Sequence, residues 1–176
     1  MTTDETTTGV GASGVKSILW LVLAFLVVVV DQITKSMVIE NLTLYQRIPI
    51  LPFLDFVRLH NSGAAFSFLA NASGWQNWLF TGVALVVSAG IIWWLFTLPR
   101  KGRAVLALGL ALVLGGAIGN VIDRALYGYV VDFILLYYQE WSYQAFNIAD
   151  SAITCGVVLI LFDGLVLDRR RQKSTT

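Results

Sequence analysis

Residues 104–123 read AVLALGLALVLGGAIGNVID and decide the architecture of this chain. Apart from Asn120 and Asp123 near its end, the stretch contains only Ala, Val, Leu, Ile and Gly. About 20 such residues cross a hydrocarbon core about 30 Å thick. Because backbone groups in lipid must be hydrogen-bonded within the segment, the stretch is predicted to be a transmembrane helix. Its two polar side chains then lie at one end, near a membrane surface.

Three further apolar segments lie at about residues 17–38, 76–98 and 147–167. The 176-residue chain is 57% hydrophobic and 13% charged, whereas about a quarter of the residues in a soluble domain are charged. We therefore predict an integral membrane, mainly α protein, built as a four-transmembrane-helix bundle. It forms a single membrane domain, residues 16–168, between a disordered tail, residues 1–15, and a basic tail, residues 169–176.

Lysine and arginine residues predict the orientation of the bundle. They precede the first apolar segment, follow the fourth and occupy the connection between the second and third: Lys16, Arg100, Lys101, Arg103, Arg169, Arg170, Arg171 and Lys173. By the positive-inside rule, both termini are cytoplasmic. The outer segments are then about residues 42–70, predicted as a small extracytoplasmic β-cradle with an apolar edge at Phe66 and Phe68, and about residues 124–146, predicted as an interfacial loop or helix.

This topology predicts a pair of acidic side chains at one depth. The third helix runs outward and ends at Asp123, and the fourth begins on the outer side and carries Asp150 about one turn in. Ionisable residues at membrane depth are costly and usually face a partner or a wet cavity. Two facing carboxylates cannot easily both ionise, so one keeps its proton while the other acts as a base. Such a pair can activate water without a metal.

Structural interpretations compete with this one for each acid. Asn147 and Asp150 have the spacing of a capping box, which we weigh about evenly against catalysis for Asp150 alone. Asp123 alone could pair with Arg124 or Lys35. Asp132 is by default a loop contact or turn.

Other polar groups are open to similar alternatives. Asp31 and Lys35, four residues apart, form an interfacial ion pair or serve a function. Gly115, Gly116 and Gly119 favour close helix packing. Asp163, distant from the other acids, is interpreted as snorkelling or packing. One histidine and one cysteine exclude a disulfide framework and are too few for a zinc site, and the charge pattern does not indicate nucleic-acid binding.

Five sequence blocks appear in an order that resembles bacterial lipoprotein signal peptidase, or signal peptidase II. They are Asp31–Lys35 (DQITK), Asn61–Phe66 (NSGAAF), Gly115–Arg124 (GGAIGNVIDR), Val130–Phe133 (VVDF) and Phe146–Ala152 (FNIADSA). The resemblance implies an aspartyl endopeptidase of the bacterial cytoplasmic membrane that cleaves prolipoproteins before a diacylglyceryl-modified cysteine, with its active site near the outer leaflet. It also implies membrane lipid as a partner and inhibition by globomycin-type peptides.

Residue roles follow from the same resemblance. Asp123 and Asp150 match the catalytic dyad. Positions that support the dyad or contact substrate are matched by Asn120, Arg124, Asn147, Asn61, Asp31, Lys35, Gly63 and Asp132. No metal, cofactor or nucleic acid is expected. A small proton-coupled transporter, with the acids as a relay, is the principal alternative, and a non-catalytic assembly subunit is another.

Overall fold

A computed structural model describes residues 11–63, 75–99, 102–139 and 141–173. Residues 1–10 of the predicted tail and the predicted apolar edge at Phe66 and Phe68 lie outside the described residues. Within the described residues, four helices are long and apolar enough to cross a membrane. They are α1 (Gly11–Asn41), α2 (Trp75–Thr97), α3 (Ala104–Tyr127) and α4 (Ile148–Phe162), the last continuing through a π-helical turn (Asp163–Leu167) into α5 (Asp168–Lys173). The predicted four-helix membrane architecture is confirmed.

Helix bounds differ from the predicted ones mainly at the two tails. Residues 11–15, predicted as disordered, form the start of α1, and residues 169–173 of the predicted basic tail belong to α5. Extending an existing helix adds one hydrogen bond for each residue that is fixed, so a polar flank continues a helix more easily than it starts one. Helix α3 also runs past Asp123 to Tyr127 and ends at Gly128, whose φ of 78° is the left-handed cap conformation.

Helix α3 is the centre of the bundle. Of its most apolar stretch, 61% is buried inside the protein, against 17% in each of the other three spans. Its contact with α4 is close because glycines face each other across it. A Cβ atom on Gly156 of α4 would lie 2.6 Å from the carbonyl oxygen of Gly109 and 2.7 Å from Cγ2 of Val113. The small residues of α3 therefore set the distance between the helices, as the sequence predicts.

A four-stranded antiparallel sheet covers one end of the bundle. Its strands are β1 (Arg47–Leu51), β2 (Leu54–Asn61), β3 (Val130–Tyr138) and β4 (Trp141–Ser142), in the order β1-β2-β3-β4. The first two strands confirm the predicted cradle. The second outer segment, predicted as an interfacial loop or helix, instead contributes β3 and β4. Because residues 130–133 are all buried, this strand lacks the alternating pattern that identifies a half-exposed strand.

Contacts with the end of α1 fix the sheet on the bundle. Arg58 Nη1 of β2 donates hydrogen bonds to the backbone carbonyls of Ile39 and Leu42, at 3.0 Å and 2.9 Å. Beside them, a small apolar cluster joins α1 to β3 through Val38, Leu42, Val131 and Phe133. The start of β3 is therefore held against α1 as well as following α3 in the chain.

An ion-pair cluster closes the opposite end of the bundle. Asp163, buried in the π-helical turn, pairs with Arg103 at 3.0 Å and with Arg171 at 2.8 Å. The prediction of snorkelling or simple packing for Asp163 is therefore wrong, because its carboxylate joins the start of α3 to α5.

The close contact of α3 and α4 predicts that Gly156→Ala lowers the stability of the protein by about 1–3 kcal/mol through overpacking. Gly82→Ala on α2 is the matched control, since no atom lies within 4 Å of an added Cβ there. Thermal unfolding of both variants in detergent micelles measures the difference. Equal melting temperatures would contradict the packing account.

Candidate active site

A buried ion-pair triad ties α1 to α3 below the sheet. Lys35 Nζ lies 2.8 Å from Asp31 Oδ2, 2.9 Å from Asp123 Oδ2 and 3.0 Å from Asn120 Oδ1. All three charged residues of the triad are at most 2% exposed. The predicted pairing of Asp31 with Lys35 is confirmed, and of the two partners considered for Asp123, Lys35 makes the ion pair.

The remaining oxygens of the triad accept further hydrogen bonds. Asp31 Oδ1 accepts one from the backbone N–H of Ala149 at 2.9 Å, and Asp123 Oδ2 accepts one from the backbone N–H of Val131 at 3.0 Å. Gln32 Nε2 donates to Asp123 Oδ1 at 2.9 Å. All four carboxylate oxygens are thus occupied by donors.

Gln32 has no role among the residues predicted for the site. Its side-chain amide lies beside the triad and also donates to the carbonyl oxygen of Gly119 at 3.2 Å. The available signal was an amide directly after Asp31 in an apolar segment, where an uncompensated polar group is costly.

The start of α4 carries the predicted capping box. Asn147 Oδ1 accepts from the N–H of Asp150 at 2.9 Å, and Asp150 Oδ2 accepts from the N–H of Asn147 at 3.2 Å. The same Asn147 side chain also reaches the sheet, because its Nδ2 donates to Asp132 Oδ1 at 2.8 Å. Asn147 is completely buried. One asparagine therefore connects the carboxylate-bearing ends of α4 and β3.

Asp132 is a buried residue of β3, and its interpretation as a loop or turn contact is wrong. Its second oxygen accepts from Asn61 Nδ2 at 2.9 Å, and Asn61 Oδ1 in turn accepts from the N–H of Gly63 at 2.9 Å. Burial, followed by the negative charge of Asp150, raises the pKa of Asp132 from 3.8 to about 7. The hydrogen bonds from Asn61 and Asn147 act in the opposite direction. Asp132 is consequently half protonated near neutral pH.

Asp150 is more exposed than Asp132, because its side chain is only partly buried. Its Oδ1 accepts from Asn120 Nδ2 at 2.8 Å. Asn120 links it to the triad, since Asn120 Oδ1 accepts from Lys35. Asp123 is connected to Asp150 through Lys35 and Asn120 in succession, whereas Asp132 shares the single side chain of Asn147 with Asp150 and interacts with its charge.

Arg124 and Gly63 border this group of acids. The Arg124 guanidinium lies 5.7 Å from the centre of the Phe80 ring, and its Nη1 donates to the carbonyl oxygen of Asn120 at 3.4 Å. Gly63 has a φ of 96°, and an added Cβ there would lie 2.7 Å from Phe80 Cε2. A side chain at position 63 would thus strain the backbone and push the ring that Arg124 covers.

Two carboxylates with unequal surroundings suit general acid and base chemistry. Asp132 is buried and its raised pKa lets a substantial fraction of it keep a proton near neutral pH, while Asp150 is partly open and sits at a helix N-terminus, which stabilises negative charge. Among the described residues, no group of three or more His, Cys, Asp or Glu side chains is placed to hold a metal ion. The arrangement can take a proton from water and give one to a substrate.

The profile of the peptidase family described as Signal peptidase (SPase) II matches residues 23–166. The chain belongs to this family. It is similar to a lipoprotein signal peptidase of Acinetobacter baylyi, with 50% identity over 155 residues that cover 88% of this chain and 86% of the relative. A lipoprotein signal peptidase of Alteromonas mediterranea is 51% identical over 146 residues, or 82% and 78% of the two chains.

Solved structures agree with this membership. The fold is similar to two crystallised bacterial membrane enzymes, each 30% identical, with TM-scores of 0.72 and 0.73. The match covers 85% of this chain and 87% of the first, and 86% of this chain and 93% of the second. As a signal peptidase II, the chain is a membrane protease that removes signal peptides from prolipoproteins. The peptidase prediction is confirmed over the transporter and assembly-subunit alternatives.

The triad predicts a large stability loss in Lys35→Met. Removing one partner of a buried ion pair leaves an uncompensated charge and costs about 3–5 kcal/mol. Arg170→Met removes the same charge from an exposed position and is the control. Thermal unfolding in detergent should show a clearly lower melting temperature for Lys35→Met only, and similar values for both variants would contradict a stabilising role.

Proposed function

We propose that this signal peptidase II is an aspartyl endopeptidase whose catalytic carboxylates are Asp132 and Asp150. In this proposal it cleaves prolipoproteins immediately before a diacylglyceryl-modified cysteine. The pair replaces the sequence-based assignment of Asp123 and Asp150. The observation that carries it is the shared Asn147 side chain, which donates to Asp132 Oδ1 and accepts from the N–H of Asp150.

The environment of Asp123 argues against a catalytic role for that residue. Its carboxylate faces Lys35 at 2.9 Å and accepts hydrogen bonds from Gln32 and from the Val131 N–H, and the residue is 1% exposed. This carboxylate is paired with an ammonium group, and both of its oxygens already accept hydrogen bonds, so it is poorly placed to bind the attacking water. Asp150 is partly exposed and Asp132 adjoins it, so a substrate carbonyl and a water molecule can approach this pair.

We assign the catalytic roles of Asp132 and Asp150 from the difference between their environments. Asp150 takes a proton from water as the water oxygen bonds to the scissile carbonyl carbon, and protonated Asp132 gives its proton to the carbonyl oxygen. In the resulting tetrahedral intermediate, the carbon–nitrogen bond then breaks. The departing amine nitrogen takes the proton held by Asp150, and Asp132 recovers its proton as the new carboxyl group forms. One water is consumed and both acids return to their starting states.

The supporting residues have distinct parts in this scheme. Asn61 and Asn147 orient Asp132, and Asn120 orients Asp150. Arg124, which lies near the acids through its attraction to Asp150, Asp123 and Asp132, offers its guanidinium to substrate carbonyl groups beside Phe80. Gly63 gives that ring its space.

The orientation of the protein follows from its charges. Basic residues concentrate at the end opposite the sheet, where Arg103, Arg169, Arg170 and Arg171 lie. Both termini are then cytoplasmic in the bacterial inner membrane, and the acids lie near the outer leaflet. Exposed aromatic side chains at the sheet end suit an interface, among them Trp78, Tyr138, Trp141 and Tyr143. A lipidated substrate can reach the acids at this depth, as can globomycin-type cyclic peptides.

Asp132→Asn and Asp150→Asn are each expected to lower kcat by at least about 10⁴-fold while the protein remains folded, because each removes an acid or base from the reaction. Asp168→Asn, a partly exposed acid at the other end of the bundle, serves as the control and retains activity. A gel-shift assay on a purified diacylglyceryl-modified prolipoprotein measures cleavage. Normal processing by Asp132→Asn would refute the dyad.

Activity should also fall at alkaline pH. The proposed mechanism needs Asp132 in its protonated form, and the pKa of Asp132 is raised to about 7. The fraction of competent enzyme therefore decreases as the pH rises through about 7. A profile of kcat/KM against pH, with the melting temperature followed in parallel, measures this limb. Activity that stays constant well above pH 7 would contradict the assigned acid.

A further inference from the structure

We infer that Asp123 and Asp31 are positioning residues that hold the two catalytic acids through the backbone amides immediately before them. This inference rests on the proposed function of Asp132 and Asp150. Asp123 binds the N–H of Val131, one residue before Asp132, and Asp31 binds the N–H of Ala149, one residue before Asp150. Lys35 lies between the two carboxylates and pairs with both. We call the contact of Asp123 with Val131 the Asp123 arm, and the contact of Asp31 with Ala149 the Asp31 arm.

Each arm fixes a different element of the fold. The Asp123 arm runs from α3 to the first residues of β3, and the Asp31 arm runs from α1 to the first turn of α4. Both amides are fully buried with their residues, at 0% exposure for Val131 and for Ala149. Backbone hydrogen bonds between Phe146 and Ile134, together with the Asn147 side chain, also join β3 to the start of α4. The triad adds a buried, charged connection to these contacts, so the separation of the two catalytic carboxylates depends in part on the carboxylate–ammonium–carboxylate bridge.

The charges of the bridge explain why it is rigid. One ammonium group serves two carboxylates, so the triad keeps a net negative charge in a dry site. Backbone N–H groups and the Gln32 amide compensate for that excess: Gln32 and the Ala149 N–H donate to the oxygens that Lys35 does not contact, and the Val131 N–H shares Asp123 Oδ2 with Lys35. Any rotation of Asp123 would break a charged hydrogen bond in a low-dielectric site, which is costly. Gln32 thereby fixes the rotamer of Asp123.

A carboxylate–amide exchange separates positioning by Asp123 from catalysis by Asp123. In Asp123→Asn, Nδ2 of the new side chain faces the donor Gln32 Nε2, so the hydrogen bond that fixes the rotamer of residue 123 is lost. In the double variant Gln32→Glu/Asp123→Asn, the carboxylate moves to position 32 and accepts from that Nδ2. Recovery is partial, because the same oxygen then faces the carbonyl oxygen of Gly119 and Asp31 Oδ2, to which Gln32 Nε2 donates at 3.2 Å and 3.3 Å. The new Oδ1 still accepts the N–H of Val131, and the net charge near Lys35 is unchanged.

Positioning predicts that Asp123→Asn lowers kcat by about 100-fold, the size expected for a displacement of about 1 Å at a reacting group. The double variant should recover at least about tenfold of that loss, with KM unchanged. Gln32→Glu alone, which places like charges together, is the matched control and should be impaired. A double variant that melts like the wild type but is as inactive as Asp123→Asn would overturn the inference.

If the double variant Gln32→Glu/Asp123→Asn does not fold, Gln32→Leu provides a second test of the same inference. It removes only the bonds of one side-chain amide, and kcat should fall about tenfold, as for the loss of one hydrogen bond to a charged group. The alkaline limb of the pH profile should stay in place, because Asp132, whose pKa is raised to about 7, is unchanged. A wild-type kcat in Gln32→Leu would overturn the positioning role. Normal cleavage by Asp132→Asn would instead refute the dyad, independently of the exchange result.

Discussion

The buried ammonium group of Lys35 is the constraint on which the working end of this protein depends. Burying a charge costs several kcal/mol unless partners replace its hydration. Here Asp31, Asp123 and Asn120 do so, and they come from two helices that must stay in register to supply them. The oxygens that Lys35 does not contact accept hydrogen bonds from Gln32 and from the Ala149 N–H, and the Val131 N–H shares Asp123 Oδ2 with Lys35. A single buried cation thereby links α1, α3, β3 and α4.

Glycine packing makes this linkage sterically feasible. A Cβ on Gly119 would lie 2.6 Å from Asp31 Oδ2, so only a residue without a side chain lets α1 bring its carboxylate so near α3. Farther along α3, the contact between Gly109 and Gly156 brings α4 equally close. The same bundle thus contains closely packed helices, an ion-pair triad and a capping box. Together they leave Asp150 partly open while Asp132 stays dry.

Local patterns predicted much of this arrangement. Apolar runs gave the four helices, the spacing of Asn147 and Asp150 gave the capping box, and the spacing of Asp31 and Lys35 gave an ion pair. These features depend on residues a few positions apart. Ordered motif blocks predicted the family, because five short matches in one order are far more specific than any one of them.

The remaining features could not be predicted from the sequence because they depend on contacts between residues far apart in the chain. Strand β3 is buried over residues 130–133, so it shows no period of two, and its partner β2 lies some 70 residues earlier in the chain. Without that pairing, Asp132 looked like a loop residue and Asp123 was the natural partner for Asp150 on grounds of depth. The predicted depth in the membrane identified Asp123 and Asp150 as neighbours, but the pairing of Asp123 with Lys35 makes it unsuitable as the partner acid. The sequence shows two acids at one level without showing that Lys35 neutralises one of them.

Infrared titration of the purified enzyme tests most directly which acid holds the catalytic proton. A protonated carboxyl group absorbs at a frequency distinct from that of a carboxylate. The wild-type enzyme should show such a band that disappears as the pH rises through about 7, the pKa of Asp132. The band should be absent in Asp132→Asn and present in Asp123→Asn. A band lost in Asp123→Asn and retained in Asp132→Asn would contradict the account.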